Sequence, residues 1–108
     1  MIFSWDESNR EHLARHNVEP AEAEEILGNL RHPFPRATGA GKYMGWGKTI
    51  KGRYLQVVFA LKDPEEVSYE SVTPEDWQAL KSNEKIIRIV HAMDLTDGMK
   101  RRFFKRSR

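Results

Sequence analysis

Histidine and arginine carry most of the chemical promise in this sequence. Cysteine is absent, which removes thiolate nucleophiles, thiolate metal sites and any disulfide framework. His12 and His16 stand four apart, a spacing that sets two imidazoles on one helix face. Leu13 occupies the place where a zincin has its glutamate, and no third ligand presents itself, so no metal is expected. No helix start follows Gly39, Gly41, Gly45 or Gly47, so no phosphate-cradling loop and no cofactor is expected either. Without a metal, imidazole moves protons near neutral pH and guanidinium gives phosphate two parallel charge-assisted hydrogen bonds. These are the requirements of metal-free RNA cleavage: a base for the 2′-hydroxyl, donors for the phosphate, an acid for the leaving oxygen. His16 and His91 are the histidines to weigh for that work. His16 competes with a capping or packing role at a helix end, where a cation also favours the dipole.

Charge is distributed in blocks. Residues 1–30 hold seven acids against Arg10 and Arg15, and residues 63–84 hold seven against Lys81. Residues 31–62 hold seven basic groups and no acid, and residues 100–108 hold six and no acid. Such asymmetry suits a polyanion on one side of the molecule. Solvated surface is the plainer alternative for either block alone. Lys48 and Lys51 in the first block, with Lys100, Arg101 and Arg102 in the second, are the candidate nucleic-acid contacts. The last three span one helical turn and cannot all face one way. Trp46 and Tyr43 suit base stacking or core, whereas Trp5 and Trp77 suit core.

The elements that would position these groups follow from capping and periodicity. Residues 2–5 read as an edge strand, and Asp6 as the N-cap of a helix closing near Asn17. Pro20 opens a second helix in which Ala23, Ile26, Leu27 and Leu30 recur at helical spacing. Pro33 and Pro35 break the chain, and residues 39–41 read as a loop. Residues 42–50 read as a strand disturbed by Gly45 and Gly47, followed by a Lys51-Gly52 turn and strong strands at 53–61 and 85–92. The acidic stretch between them contains a Thr73-capped turn. Asp94 or Thr96 then caps a C-terminal helix from 97 to about 105, with Phe103 and Phe104 toward the core. The order predicts one α+β domain over 1–108: a small antiparallel sheet, an N-terminal helix pair and a C-terminal helix. Strand alternation sets His91 opposite Arg88 unless a bulge intervenes. No membrane span and no leader is apparent, so a cytoplasmic protein is expected.

Residues 5–7 and 12–26 (Trp5-Asp6-Glu7, His12 through Ile26) resemble the helix-pair signature of BrnT-like proteins. Gly47-Lys48-Thr49 with residues 52–58 is similar to their central hairpin, and residues 88–96 with 100–103 to their last strand and C-terminal helix. The resemblance implies a RelE-like fold and a toxin of a type II toxin–antitoxin system, a metal-independent endoribonuclease covered by a ribbon-helix-helix antitoxin. It places Arg53 and Arg88 at the family's basic positions, as phosphate binders with His16 and His91 as the other candidate catalytic residues. Surface solubility or a salt bridge to the acidic stretch is the competing role for each arginine. The chain departs from the family at Asn17, Met93, Met99 and Phe103; methionine neither neutralises a phosphate nor moves a proton. Two further readings therefore stand beside the toxin. One is a catalytically silent relative that binds an antitoxin, RNA or the ribosome; the other is a homodimer in which acidic helices meet the basic face of a second copy.

Overall fold

The computed structural model describes residues 1–106. Strand β1 (Phe3–Ser4) leads into helix α1 (Glu7–Ala14) through a reciprocal cap. The Asp6 carboxylate accepts from the Asn9 N–H at 3.1 Å, and the Asn9 side-chain oxygen accepts from the Asp6 N–H at 2.8 Å. The same Asn9 amide donates to the carbonyls of Ser4 and Ile89, both at 2.9 Å, so a buried polar side chain ties α1 to the sheet with its donors used. After α1 the chain reverses through Asn17 at φ 54. The Val18 N–H returns to the Leu13 carbonyl and the Asn17 N–H to that of Ala14, each at 3.0 Å. Leu13 and Val18 share one core cluster, completing a Schellman turn. Helix α2 (Pro20–Gly28) starts on its proline and buries Ala23, Ile26 and Leu27.

The remaining strands are β2 (Arg36–Gly39), β3 (Lys42–Lys48), β4 (Tyr54–Lys62) and β5 (Ile86–Asp94), in the spatial order β1-β5-β4-β3-β2. The architecture is α+β, with the helix pair and the C-terminal helix α4 (Asp97–Arg106) at the two ends of the chain. Pairing is antiparallel except at the edge, where β1 runs parallel to β5. Strand β2 falls where the sequence predicts a break and a loop. Its four residues are all exposed and carry no burial alternation, so they give no strand signal. The expected loop at 39–41 is the turn of the β2–β3 hairpin, with positive φ at Gly39, Ala40 and Gly41.

Helices α1 and α2 cover one face of the sheet, packing on Leu55, Val57 and Phe59 of β4 and Ile87 and Ile89 of β5. Gly47 permits the approach of α2, since a Cβ there would lie 3.2 Å from Ile26, and Gly45 makes room for Leu30 just beyond the helix, 2.5 Å from where its Cβ would be. The opposite face is covered at its two ends by different pieces of chain. At one end Val72, Val67, Trp77 and Leu80 of the acidic stretch, which includes α3 (Pro74–Ala79), close over Ile2 and Ile86. At the other, Leu95, Met99 and Phe103 pack with Phe34 against Trp46 and Tyr54. Among the described residues no helix is long and apolar enough to cross a membrane.

Candidate nucleic-acid interface

Arg53 sits where β4 begins and spends all its donors on the protein. Nε and Nη2 meet the two oxygens of Asp94 at 2.9 and 3.1 Å. Nη1 reaches Glu22 Oε1 at 3.0 Å and the Asn17 carbonyl at 2.6 Å, and Nη2 reaches the His16 carbonyl at 3.1 Å. A guanidinium has five N–H donors, so none remains for a phosphate. The two carbonyls belong to the end of α1, where helix geometry leaves acceptors without partners. Hydrogen bonding to Arg53 holds the Asp94 carboxyl below the usual carboxylate range, and the same contact raises Arg53. Asp94, expected as a helix cap, is thereby used elsewhere, and Thr96 Oγ1 accepts from the Met99 N–H at 3.2 Å instead.

Arg88 is likewise engaged, with both Nη atoms on the Asp6 carboxylate at 2.7 and 3.2 Å. Its partner is the α1 cap rather than the acidic stretch, whose own Asp63 pairs with Lys85. Arg88 lies six residues from Asp94 along β5, roughly 20 Å of strand, so the two arginines do not share a site. Strand β5 does contain a bulge. Val58 pairs with His91 and Phe59 with Ile89, leaving Val90 as the extra residue. The bulge shifts the alternation and returns Arg88 and His91 to one face, which the sequence pattern alone does not reveal. His91 reaches across to His16, Nε2 to Nε2 at 3.2 Å, with the rings edge to face. Partial burial, then the nearby His16 and His12, pushes the His91 pKa below its ordinary value.

Cations from the two basic blocks meet elsewhere, on a pair of aromatic rings. Lys48 Nζ lies 5.3 Å and Lys100 Nζ 5.4 Å from the centre of the Tyr54 ring. The Arg102 guanidinium lies 5.7 Å from the centre of Trp46. These are cation–π distances. Tyr54 also takes Phe103 and Phe104 edge-on, at 6.1 and 5.3 Å. The Trp46 indole is fixed by its N–H bond to Gln56 Oε1 at 2.8 Å. The close ion pairs among the described residues involve Arg53, Arg88 and Lys85 and not Lys48, Lys100 or Arg102, although Lys100 helps hold the Asp94 carboxyl below its usual range. Lys51, in the β3–β4 turn, and Arg101, on α4, are exposed and do not sit over these rings.

Beside this platform lies a groove of about 520 Å³, between the 29–34 segment, the end of β3 and α4. Its walls include Phe34, Trp46, Tyr54 and Phe103, and Arg31 and Lys48 stand among its lining residues. Sequence reasoning passes over Tyr54, which carries two of the cations, and Phe34, a buried ring packed against the equally buried Trp46. Tyr54 is one more aromatic in a strong strand, and Phe34 is hidden between two prolines. Trp5 and Trp77 are half-buried packing residues, each donating its indole N–H, to Glu24 Oε2 at 2.7 Å and to the Tyr69 carbonyl at 2.8 Å respectively. Compared with known proteins, the chain matches no protein-family model and no curated protein.

Proposed function

We propose that this protein is a BrnT-like relative that binds single-stranded RNA through the cations gathered over Tyr54 and Trp46, without a ready-made cleavage site. One observation carries the reading: Lys48 and Lys100, from opposite halves of the chain, stand over one ring while Arg102 stands over its neighbour. Cations held on aromatic rings rather than in close ion pairs neutralise phosphates, a contribution tolerant of sequence. The arginines that would stabilise a cleaving phosphate are spent on carboxylates, and Met93 and Met99 offer no proton. The same arrangement fits the catalytically silent partner of a ribbon-helix-helix antitoxin in the cytoplasm. Fluorescence anisotropy with a 12-nucleotide single-stranded RNA tests the binding. Lys48→Ala with Lys100→Ala and Arg102→Ala should abolish it while the fold persists; unchanged affinity would refute the platform.

An endoribonuclease toxin is the second reading, favoured by the His16–His91 contact alone. A pair of imidazoles sharing a hydrogen bond can hold and release one proton between them. Incubation of RNA with chelator present should then leave 2′,3′-cyclic phosphate ends that vanish with His91→Ala. Intact RNA, with and without ribosomes, would leave the binding role standing by itself.

A further inference from the structure

We infer that His16 and His91 form a two-histidine seat for a divalent transition-metal ion such as Zn²⁺, held between the end of α1 and β5. The inference goes beyond RNA binding and needs nothing from the cations over Tyr54 and Trp46. Along the sequence His16 has His12 one helical turn back as its natural partner. The fold supplies another. Helix α1 lies along β5, tied to it by Asp6–Arg88 at its start, by the Asn9 amide on the Ile89 carbonyl, and by His16–His91 just past its end. The extra residue at Val90 is what turns His91 toward the helix.

Two distances describe the meeting: 3.2 Å between the Nε2 atoms and 4.9 Å between the ring centroids. A zinc–imidazole bond is about 2.0–2.1 Å, so nitrogens 3.2 Å apart subtend about 100° at a shared ion. Each ring centre lies about 1.1 Å farther out along its bond, and centroids 4.9 Å apart then give about the same angle. Both distances fit one ion with both rings aimed at it. A hydrogen bond in line with both rings would instead set their centres about 5.4 Å apart. A ligand imidazole must be neutral, and His91, its pKa lowered by burial and by His16 and His12, meets that condition at neutral pH. His16 is exposed and His91 half-buried, so an ion has access. Arg53, bonded to the His16 carbonyl, has its charge met by Asp94 and Glu22. Among the described residues no group of three or more His, Asp or Glu side chains gathers to hold an ion, so the protein supplies two ligands and water completes the shell. Imidazole nitrogen favours Zn²⁺, Cu²⁺ or Ni²⁺ over Mg²⁺ and Ca²⁺, which take oxygen. Such an ion pins the end of α1 to the sheet.

The test is calorimetric titration of the full chain, free of any affinity tag, with ZnCl₂, while NMR follows the histidine ring signals. One Zn²⁺ per chain should bind, moving the His16 and His91 signals and leaving that of His32 in place. His16→Ala and His91→Ala should each weaken binding at least about tenfold, no less than the loss of an outer-shell partner costs, whereas His12→Ala should keep it. Zn²⁺ should raise the Tm of the wild type by mass action on the folded state, and should not raise that of His91→Ala. On the wild type itself, Cu²⁺ should show coupling to two imidazole nitrogens by electron paramagnetic resonance, a readout that needs no variant to fold. Absence of Zn²⁺ binding, or coupling to a single imidazole, would overturn the seat. Binding that survives His91→Ala but is lost in His12→Ala would overturn it too, assigning the ion to the helix pair.

Discussion

The guanidinium of Arg53 lies edge to edge with the carboxylate of Asp94, Nε on one oxygen and Nη2 on the other, across the start of β4 and the end of β5. Around that bidentate pair, Glu22 from α2 and two carbonyls from the end of α1 close the remaining donors. Four elements are therefore joined at one side chain. Arg53 thus acts on the fold.

Arg53→Ala should for that reason unfold more readily. Four acceptor groups lose a charged donor; with Asp94 largely exposed the cost is about 1 kcal/mol, or roughly 5 °C in Tm for a domain of this size. Arg53→Lys should recover little, because an ammonium cannot make the bidentate contact with Asp94 and reach the other three acceptors. Urea unfolding measures both. Wild-type stability in the alanine variant would show that the network is decorative.

His91 predicts a pH dependence whose sign is fixed. Its folded pKa lies below the ordinary value, so the unfolded chain binds the proton more readily. Its stability contribution is complete above about pH 6.5 and declines as pH falls through the window below it. Asp6 and Asp94, both lowered by arginines, lose theirs only below about pH 4. Tm measured from pH 7.5 to 5 should fall in the wild type and fall less in His91→Gln; identical profiles would contradict the assignment.

Gly45 and Leu30 should be energetically coupled. Gly45→Ala forces its new methyl onto Leu30 Cδ2 and should cost about 1–2 kcal/mol through overpacking. In a Leu30→Ala background the same substitution should cost much less. A double-mutant cycle by urea unfolding measures the difference, and simple additivity would place the conflict elsewhere.

The helix pair was legible because each boundary has a local cause: the Asp6 carboxylate, Asn17 at positive φ, Pro20 at the first turn. Strands β4 and β5 announce themselves through β-branched and aromatic runs. Strand β2 is invisible because nothing on it is buried, and the parallel edge at β1 rests on two residues. The bulge at Val90 depends on pairing with another strand, which no local pattern encodes. At the site, the two acid-free blocks suggest one shared basic face; Lys48 and Lys100 stand over one ring, whereas Arg53 and Arg88 are held apart in separate ion pairs. Which arginines remain available could not be read in advance. That depends on where Asp6, Glu22 and Asp94 come to lie, and tertiary structure alone decides it.

The most direct measurement is the slope of log affinity against log salt for a short single-stranded RNA. Three phosphate contacts give a slope of about −2. Removing Lys48, Lys100 and Arg102 together should flatten it almost to zero, whereas Lys51→Ala with Arg101→Ala should leave most of it. A triple variant that keeps the full slope would contradict the account, since the RNA would then be held by cations other than those gathered on Tyr54 and Trp46.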